Sequence, residues 1–280
     1  MSNLIDIGIN MVPIPPEDLV EAGQLAEELG YESLWVGEHF IVPWETKAPY
    51  PYGEAAPFTA DMNFLEPLAA LSALGVATKR VRLGTCIIVL PLRDPYLTAR
   101  AIVTADILSG GRLEVGCGAG WLKDEFDIVH QDFATRGRRL EEGLALLDEL
   151  FSASRPQFNG AFWKLPPSAF EPKPKQSPRP PVILGGHSAA ALKRAARLAD
   201  GWMSTMTNPS AVARDLETLR RERGDRAPLK SSVLEGPDAD IEAYARVGAN
   251  RLILVPWRDV KYWREGMQSF AESFGLRASA

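Results

Sequence analysis

Short apolar runs alternate with longer segments of helical period along almost the whole chain. Leu4–Ile9 (LIDIGI) is a β-branched run, and a helix follows from about Pro16 to Leu29, opened by Pro15-Pro16 and stopped by Gly30. Ser33–Gly37 (SLWVG) predicts a second strand, and Pro43–Pro57 a loop too rich in proline and glycine for a helix. Asn63–Thr78 predicts an Ala/Leu-rich helix, and Val81–Val89 (VRLGTCIIV) carries the strongest strand signal in the chain. A helix over Pro95–Leu108, a strand over Arg112–Gly116 and a helix over Arg138–Ser152 come next. The alternation resumes with strand Pro181–Gly185, helix Ser188–Ala199, strand Gly201–Ser204 and helix Pro209–Arg223. A weak strand at Lys230–Leu234, helix Asp238–Val247, strand Arg251–Val255 (RLILV) and helix Val260–Phe274 complete the pattern.

Eight strands, each followed by a helix, predict an α/β chain folded as a (β/α)8 TIM barrel, one domain across residues 1–280. An open doubly wound sheet shows the same alternation. The count of eight favours the barrel, as does the lack of a dinucleotide glycine fingerprint after the first strand. Residues 154–180 break the rhythm with proline and lysine and read as an insertion before the fifth strand. Within it, Gln157–Leu165 is hairpin-like around Asn159-Gly160.

Composition narrows the function classes. A net charge of −5 with scattered Lys and Arg gives no basic stripe for nucleic acid. No apolar run is long enough to span a bilayer and no amino-terminal apolar signal is evident, so a cytoplasmic protein is expected. The two cysteines, Cys86 and Cys117, lie in apolar strands and read as packed thiols rather than a disulfide. Three histidines, His39, His130 and His187, show no metal-ligand spacing, and no G-x-S-x-G nucleophile elbow occurs. No metal is expected.

In such barrels function gathers where the strands end. After the second strand stand Glu38 and His39, a proton donor with a carboxylate to tune it, or else a buried strut beside a packed ring. After the fourth strand, Gly116, Gly118 and Gly120 alternate, permitting close backbone approach to a flat or anionic ligand, or simply a tight turn. Gly185, Gly186, His187 and Ser188 open a helix after the fifth strand. Their N–H groups suit a phosphate, and Ser188 suits a plain N-cap equally.

The stretches SLWVGEHF, VRLGTCIIVLPLRDP, LSGGRLEVGCGAGW and PVILGGHSAAALKRAARLADGW stand in one order over most of the chain. In this the chain resembles the luciferase-like monooxygenase superfamily, and within it the deazaflavin-dependent oxidoreductases. The resemblance implies a barrel holding coenzyme F420, or FMN, at the carboxyl ends of the strands, and a homodimer. It implies phosphate contacts from Gly185, Gly186, His187 and Ser188, and His39 beside the cofactor ring. It implies a bulge in the third strand whose non-proline cis peptide, Cys86–Ile87 here, backs that ring, which favours the deazaflavin. Trp44 matches a position where some deazaflavin enzymes place an active-site aromatic. Trp121 stands where the branch that oxidises a sugar phosphate has a glutamate, so an apolar substrate wall is expected instead, or packing under the insertion.

The leading expectation is an oxidoreductase passing hydride between coenzyme F420 and a small organic substrate, with His39 as proton partner and Glu38 as its tuner. The alternatives are an FMN-dependent monooxygenase and a non-catalytic flavin- or deazaflavin-binding protein. A Schiff-base aldolase lacks a lysine at any strand end.

Overall fold

A computed structural model describes residues 5–51, 53, 56, 58–205 and 207–278. Leu4, at the head of the first expected strand, and Tyr52, Glu54, Ala55 and Pro57 of the expected loop lie outside the described residues. The strands are β1 (Asp6–Asn10), β2 (Ser33–Val36), β3 (Arg82–Thr85), β4 (Ile88–Val89), β5 (Leu113–Gly118), β6 (Phe158–Asn159), β7 (Lys164–Leu165), β8 (Val182–Gly185), β9 (Gly201–Thr205), β10 (Lys230–Glu235) and β11 (Arg251–Leu254). The helices are α1 (Leu19–Leu29), α2 (Pro67–Ala77), α3 (Pro95–Leu108), α4 (Lys123–Ile128), α5 (Arg136–Ser152), α6 (Ala189–Leu198), α7 (Pro209–Arg223), α8 (Ile241–Arg246) and α9 (Trp263–Phe274).

All strands but β6 and β7 form one parallel sheet. β1 pairs with both β2 and β11, and β5 pairs with β3, β4 and β8, so the sheet closes on itself. Counting β3 and β4 as one interrupted strand, it is a (β/α)8 TIM barrel. The interruption is a bulge. Leu83 pairs with Leu113 and Gly84 with Glu114, but Ile88 pairs with Cys117 rather than Gly118. The third strand therefore carries one extra residue, which bends it and re-aims its side chains.

Capping chemistry sets most helix starts. Asp94, Ser188 and Asn208 each accept a hydrogen bond from an N–H of the first turn, and Pro95 and Pro209 occupy the first helical position. The expected start of the second helix at Asn63 moves to Pro67, where proline fixes φ and Glu66 caps Ala69. The short helix α4 was hidden behind the glycine-rich strand end. The insertion hairpin, β6 against β7, is held on α5 by Glu142, which accepts from the N–H groups of Ala161, Phe162 and Trp163. Among the described residues no helix is long and apolar enough to cross a membrane.

Most of the core lies between sheet and helices. The barrel interior is filled differently at each level. Its middle is a small apolar layer of Trp35, Ile183, Met203 and Ile253. The indole of Trp35 occupies the space beside Gly84, where an added Cβ would lie 2.2 Å from the ring. Below it, at the amino ends of the strands, the fully buried Arg251 donates to Glu114 (2.8 Å) and Glu32 (2.7 Å), and Arg82 pairs with the same Glu114. Lys230 reaches Glu32 and Asp6, so three cations face three carboxylates in one plug.

Burial opposes ionisation of Glu114, but the hydrogen bonds and charges of Arg251 and Arg82 overcome it and bring its pKa down to about 2. A folded-state pKa below the unfolded one gives stability that is present above the unfolded carboxylate value and lost as pH falls towards 2. Denaturant unfolding between pH 5 and 2 should show that loss in the wild type and much less of it in Glu114→Gln. Arg251→Met, which strands buried carboxylates, should cost roughly 3–5 kcal/mol at pH 7, and a value below roughly 1 kcal/mol would refute the plug as a structural element.

Candidate active site

The carboxyl ends of the strands open into a cavity of about 1420 Å³. Asn10, Gly37–His39, Cys86, Ile87, Val89, Gly118–Trp121, Leu184–Ser188, Met203, Thr205, Leu234, Glu235 and Val255 line it from the strand ends and the turns after them. That volume exceeds what one drug-sized ligand needs.

The bulge forms part of the wall. The Cys86–Ile87 peptide is cis, as the resemblance implies. Cys86 N–H donates to Val36 O (2.9 Å), and the Thr85 hydroxyl donates to Gly116 O (2.7 Å). Gly116 and Gly118 share one face of β5 by the two-residue period of a strand. A Cβ on Gly116 would lie 1.9 Å from the Thr85 carbonyl, and one on Gly118 would lie 2.6 Å from Ile87 Cδ1. Gly118 lines the cavity, whereas Gly116 does not. The expectation that Gly116 lets a ligand approach is therefore corrected: its missing side chain makes room for the bulge. Burial pushes both Cys86 and Cys117 up to about 12, so neither is a thiolate at neutral pH.

His39 faces the cavity from the end of β2. Its Nδ1 lies 3.0 Å from Glu125 Oε2, and the other carboxylate oxygen accepts from the N–H of Phe40 (2.7 Å). Because a carboxylate only accepts, Nδ1 carries the proton, and Nε2 has no partner among the described residues. The expected tuner was Glu38. The structure corrects this: Glu38 accepts from Val89 N–H (2.7 Å) and from Arg93 (2.8 Å), and is the buried strut that restores the ladder after the bulge. Burial raises its pKa despite Arg93. The true partner, Glu125, sits on α4, eighty-six residues away in the chain, where no local pattern pointed to it.

Aromatic rings surround His39. Phe58 lies 4.2 Å from it centroid to centroid, Phe64 5.0 Å and Trp121 6.3 Å, and Tyr50 packs on Trp121 at 5.2 Å. Trp121 thus stands in the apolar wall and not under the insertion, none of whose residues reach the cavity. Trp44 does not join it. At 84% exposure it borders a separate small depression shared with Phe58 and Trp121, which corrects its expected place in the pocket.

At the opposite end, Gly185, Gly186, His187 and Ser188 lead into α6, and all four line the cavity. Gly186 has φ +119°, a conformation that favours glycine. Ser188 caps Ala191 (3.2 Å), which satisfies one helix-start donor, and the N–H groups of Ala189 and Ala190 have no acceptor among the described residues. His187 Nδ1 bonds Asp215 (2.7 Å), and Trp202 donates to Gly186 O (3.0 Å), so the turn is held from behind. Glu235, at the end of β10, was missed because the weak seventh strand was expected to stop at Leu234. Burial raises its carboxyl although Tyr244 and Thr207 N–H donate to it. Among the described residues no cluster of three or more His, Cys, Asp or Glu could hold a metal.

Residues 5–244 match the family model for luciferase-like monooxygenases. The chain belongs to that family. Membership makes this luciferase-like protein an oxidoreductase by descent. An uncharacterised protein of Mycobacterium tuberculosis is 31% identical over 220 residues, covering 77% of this chain and 75% of that one. An F420-dependent glucose-6-phosphate dehydrogenase of Amycolatopsis mediterranei is 34% identical over 194 residues, 68% of this chain but 54% of the relative. Among solved structures, an F420-dependent secondary alcohol dehydrogenase in complex with an F420–acetone adduct superposes with a TM-score of 0.78. It is 20% identical, with 99% of both chains covered, a likeness of fold.

The luciferase-like fold gives its two β5 glycines different tolerances. A methyl group at Gly116 meets backbone, whereas at Gly118 it meets the movable end of Ile87. Gly116→Ala should cost about 1–3 kcal/mol in urea unfolding and Gly118→Ala clearly less, as overpacking against backbone exceeds overpacking against a rotatable side chain. Equal costs would show that the bulge does not depend on Gly116.

Proposed function

We propose that this protein is an F420-dependent oxidoreductase that transfers hydride between the deazaflavin and a small organic substrate, with His39 as the proton partner. The observation that carries this reading is the His39–Glu125 pair aimed into an apolar chamber, in one cavity with the Gly186–Ser188 turn and the Ile87 wall. The F420-dependent relatives support the same choice.

The residues fit such a group. The N–H groups opening α6 suit a phosphate, because a helix start supplies unpaired donors and a positive dipole end. Ile87 and Met203 present apolar surface for a flat ring, and Gly118 leaves the wall open beside them. When bound, the deazaflavin would supply the hydride chemistry. The chain's own part is positioning and proton handling. Glu125 fixes the Nδ1–H tautomer, which leaves Nε2 free to exchange a proton with a substrate oxygen. Phe58, Phe64 and Trp121 exclude water around that atom and favour an uncharged substrate. Asp124 accepts from the N–H groups of Lys47 and Ala48 (both 3.1 Å), so α4 holds the covering loop as well as His39.

A homodimer belongs to the same proposal. Leu97 on α3 is 73% exposed and Val76 on α2 is 56% exposed, two apolar side chains left uncovered by the barrel. Size-exclusion chromatography with light scattering should give twice the mass of the chain, and Leu97→Glu should shift it to monomer.

Titrating the purified protein with coenzyme F420 and with FMN tests the cofactor. Tight binding of FMN with none of F420 would overturn the hydride reading in favour of the monooxygenase. With F420 bound and an alcohol–ketone panel as substrate, His39→Ala should lower kcat by about 10²–10⁴, the usual worth of a general acid–base group, while leaving cofactor affinity nearly unchanged. Glu125→Gln should fall between His39→Ala and wild type. Turnover indifferent to His39→Ala would point to a binding protein or to another proton partner.

A further inference from the structure

The cavity mouth beside α6 carries more positive charge than one phosphate needs. Arg194 lies four residues beyond Ala190, on the same helix face, and both line the cavity. Its guanidinium lies against α5, where Nε meets Glu141 (3.1 Å) and Nη2 stands over Gly137. Arg136, the first residue of α5, lines the same mouth. It stacks on Phe133 with its guanidinium carbon 3.7 Å from the ring centroid. It donates only to two carbonyls, Gly120 O through Nε (3.2 Å) and Phe133 O through Nη1 (2.9 Å).

These two guanidiniums are close enough to repel. Burial, and after it the charge of Arg194, lower the pKa of Arg136. Arg136 has no carboxylate partner among the described residues. Arg194 has one, Glu141 (3.1 Å), which it shares with Arg197. Arg194 and Arg197 thus share the one carboxylate of Glu141, and Arg136, at the start of α5, has none among the described residues. Nη2 of Arg136 and both terminal nitrogens of Arg194 have no hydrogen-bond acceptor in the described protein. Gly137 keeps the space clear, since a Cβ there would lie 2.9 Å from Arg194 Nη2. Two neighbouring guanidiniums with one shared carboxylate between Arg194 and Arg197 and none on Arg136 are an arrangement that an anion completes.

We infer that Arg136 and Arg194 form a second anion subsite, which takes a further anionic group of the cofactor beyond the phosphate held at Gly186–Ser188. The inference rests on that phosphate reading. The second group lies about one helical turn, ~6 Å, along α6 from the first, by the rise of 1.5 Å per residue. Carboxylates of an oligoglutamate tail and a second phosphate share the required chemistry.

Calorimetric titration of the full chain with inorganic phosphate and with tripolyphosphate tests the subsite without a cofactor. Wild type should bind tripolyphosphate at least ~10-fold tighter than phosphate, as expected for one added charge-assisted contact. In Arg136→Gln/Arg194→Gln that preference should collapse while phosphate binding persists. Arg136→Lys/Arg194→Lys should keep most of the preference, which separates charge from folding. A preference that survives in the glutamine variant, or an equal weakening of both anions, would overturn the proposal. Fluorescence titration with F420 bearing and lacking its oligoglutamate tail then identifies the second anion. Selective loss for the tailed form in the glutamine variant assigns it to the carboxylates, equal loss for both forms assigns it to a phosphate common to the two, and no loss for either form overturns the proposal. If wild type binds neither deazaflavin but keeps the tripolyphosphate preference, the cofactor reading fails and the subsite stands.

Discussion

One extra residue in the third strand shapes everything above it. A regular strand would continue its pairing with β5 and present Gly118 opposite Ile88, but the bulge brings Cys117 there. The displaced backbone at Thr85 needs room and Gly116 supplies it, while Gly118, on the same face of β5, makes room for the Ile87 side chain. Gly37 does the same from β2, where a Cβ would stand 3.0 Å from the Cys86 carbonyl. Glu38, the next residue, accepts the Val89 N–H just past the bulge and draws Arg93 in behind it. The neighbours on both sides are thus fitted to the bulge, and the backbone that carries Ile87 is as fixed as the barrel itself.

The same reasoning explains why the cavity lies at one end only. A barrel of eight strands has an interior just wide enough for side chains to fill. Here the amino ends are filled by charge, Arg251 with Glu114 and Glu32, and the middle by the Trp35 indole against Gly84. Arg251 also lies under the Trp35 ring, 4.9 Å from its centroid, so the ionic and apolar layers touch. A buried ion pair is weak evidence of net stability, but it is unforgiving of substitution, because either partner left alone is an uncompensated charge. The open end is the one where side chains are small or turned aside: Gly37, Cys86, Gly118, Gly185.

The repeating architecture was legible in the sequence because it is local. Alternating β-branched runs and helical periods, with Pro and Gly at the ends, depend on neighbours a few residues apart. The strand ends were legible for the same reason, and with them His39, Ile87, Gly118 and the Gly185–Ser188 turn. What pairs with them was not. Glu38 adjoins His39 in the chain, yet successive residues leaving a strand point to opposite sides, so the adjacent carboxylate faces Arg93 while a distant one meets the imidazole. Trp44 failed for a related reason. Within a proline-rich loop, position in sequence does not fix position in space, and its ring ended outside the chamber that Phe58 and Phe64 enclose.

The two ends of the cavity are built from different material, and that difference bears on how such a protein changes. The turn at Gly186, the Ile87 wall and the glycines of β5 belong to barrel strands and their immediate exits, where any shift propagates into the closed sheet. The chamber around His39 is built from a long connection between β2 and α2 and tied down by one short helix. Through Asp124 and Glu125, α4 holds four backbone N–H groups of that connection and the imidazole. Loops carried on a rigid barrel tolerate substitution far better than strands do. Replacing residues 40–64 while keeping Asp124, Glu125 and His39 alters what meets the imidazole without altering what the barrel holds. Trp121 sits at the junction of the two, on the exit of β5 but packed against the loop.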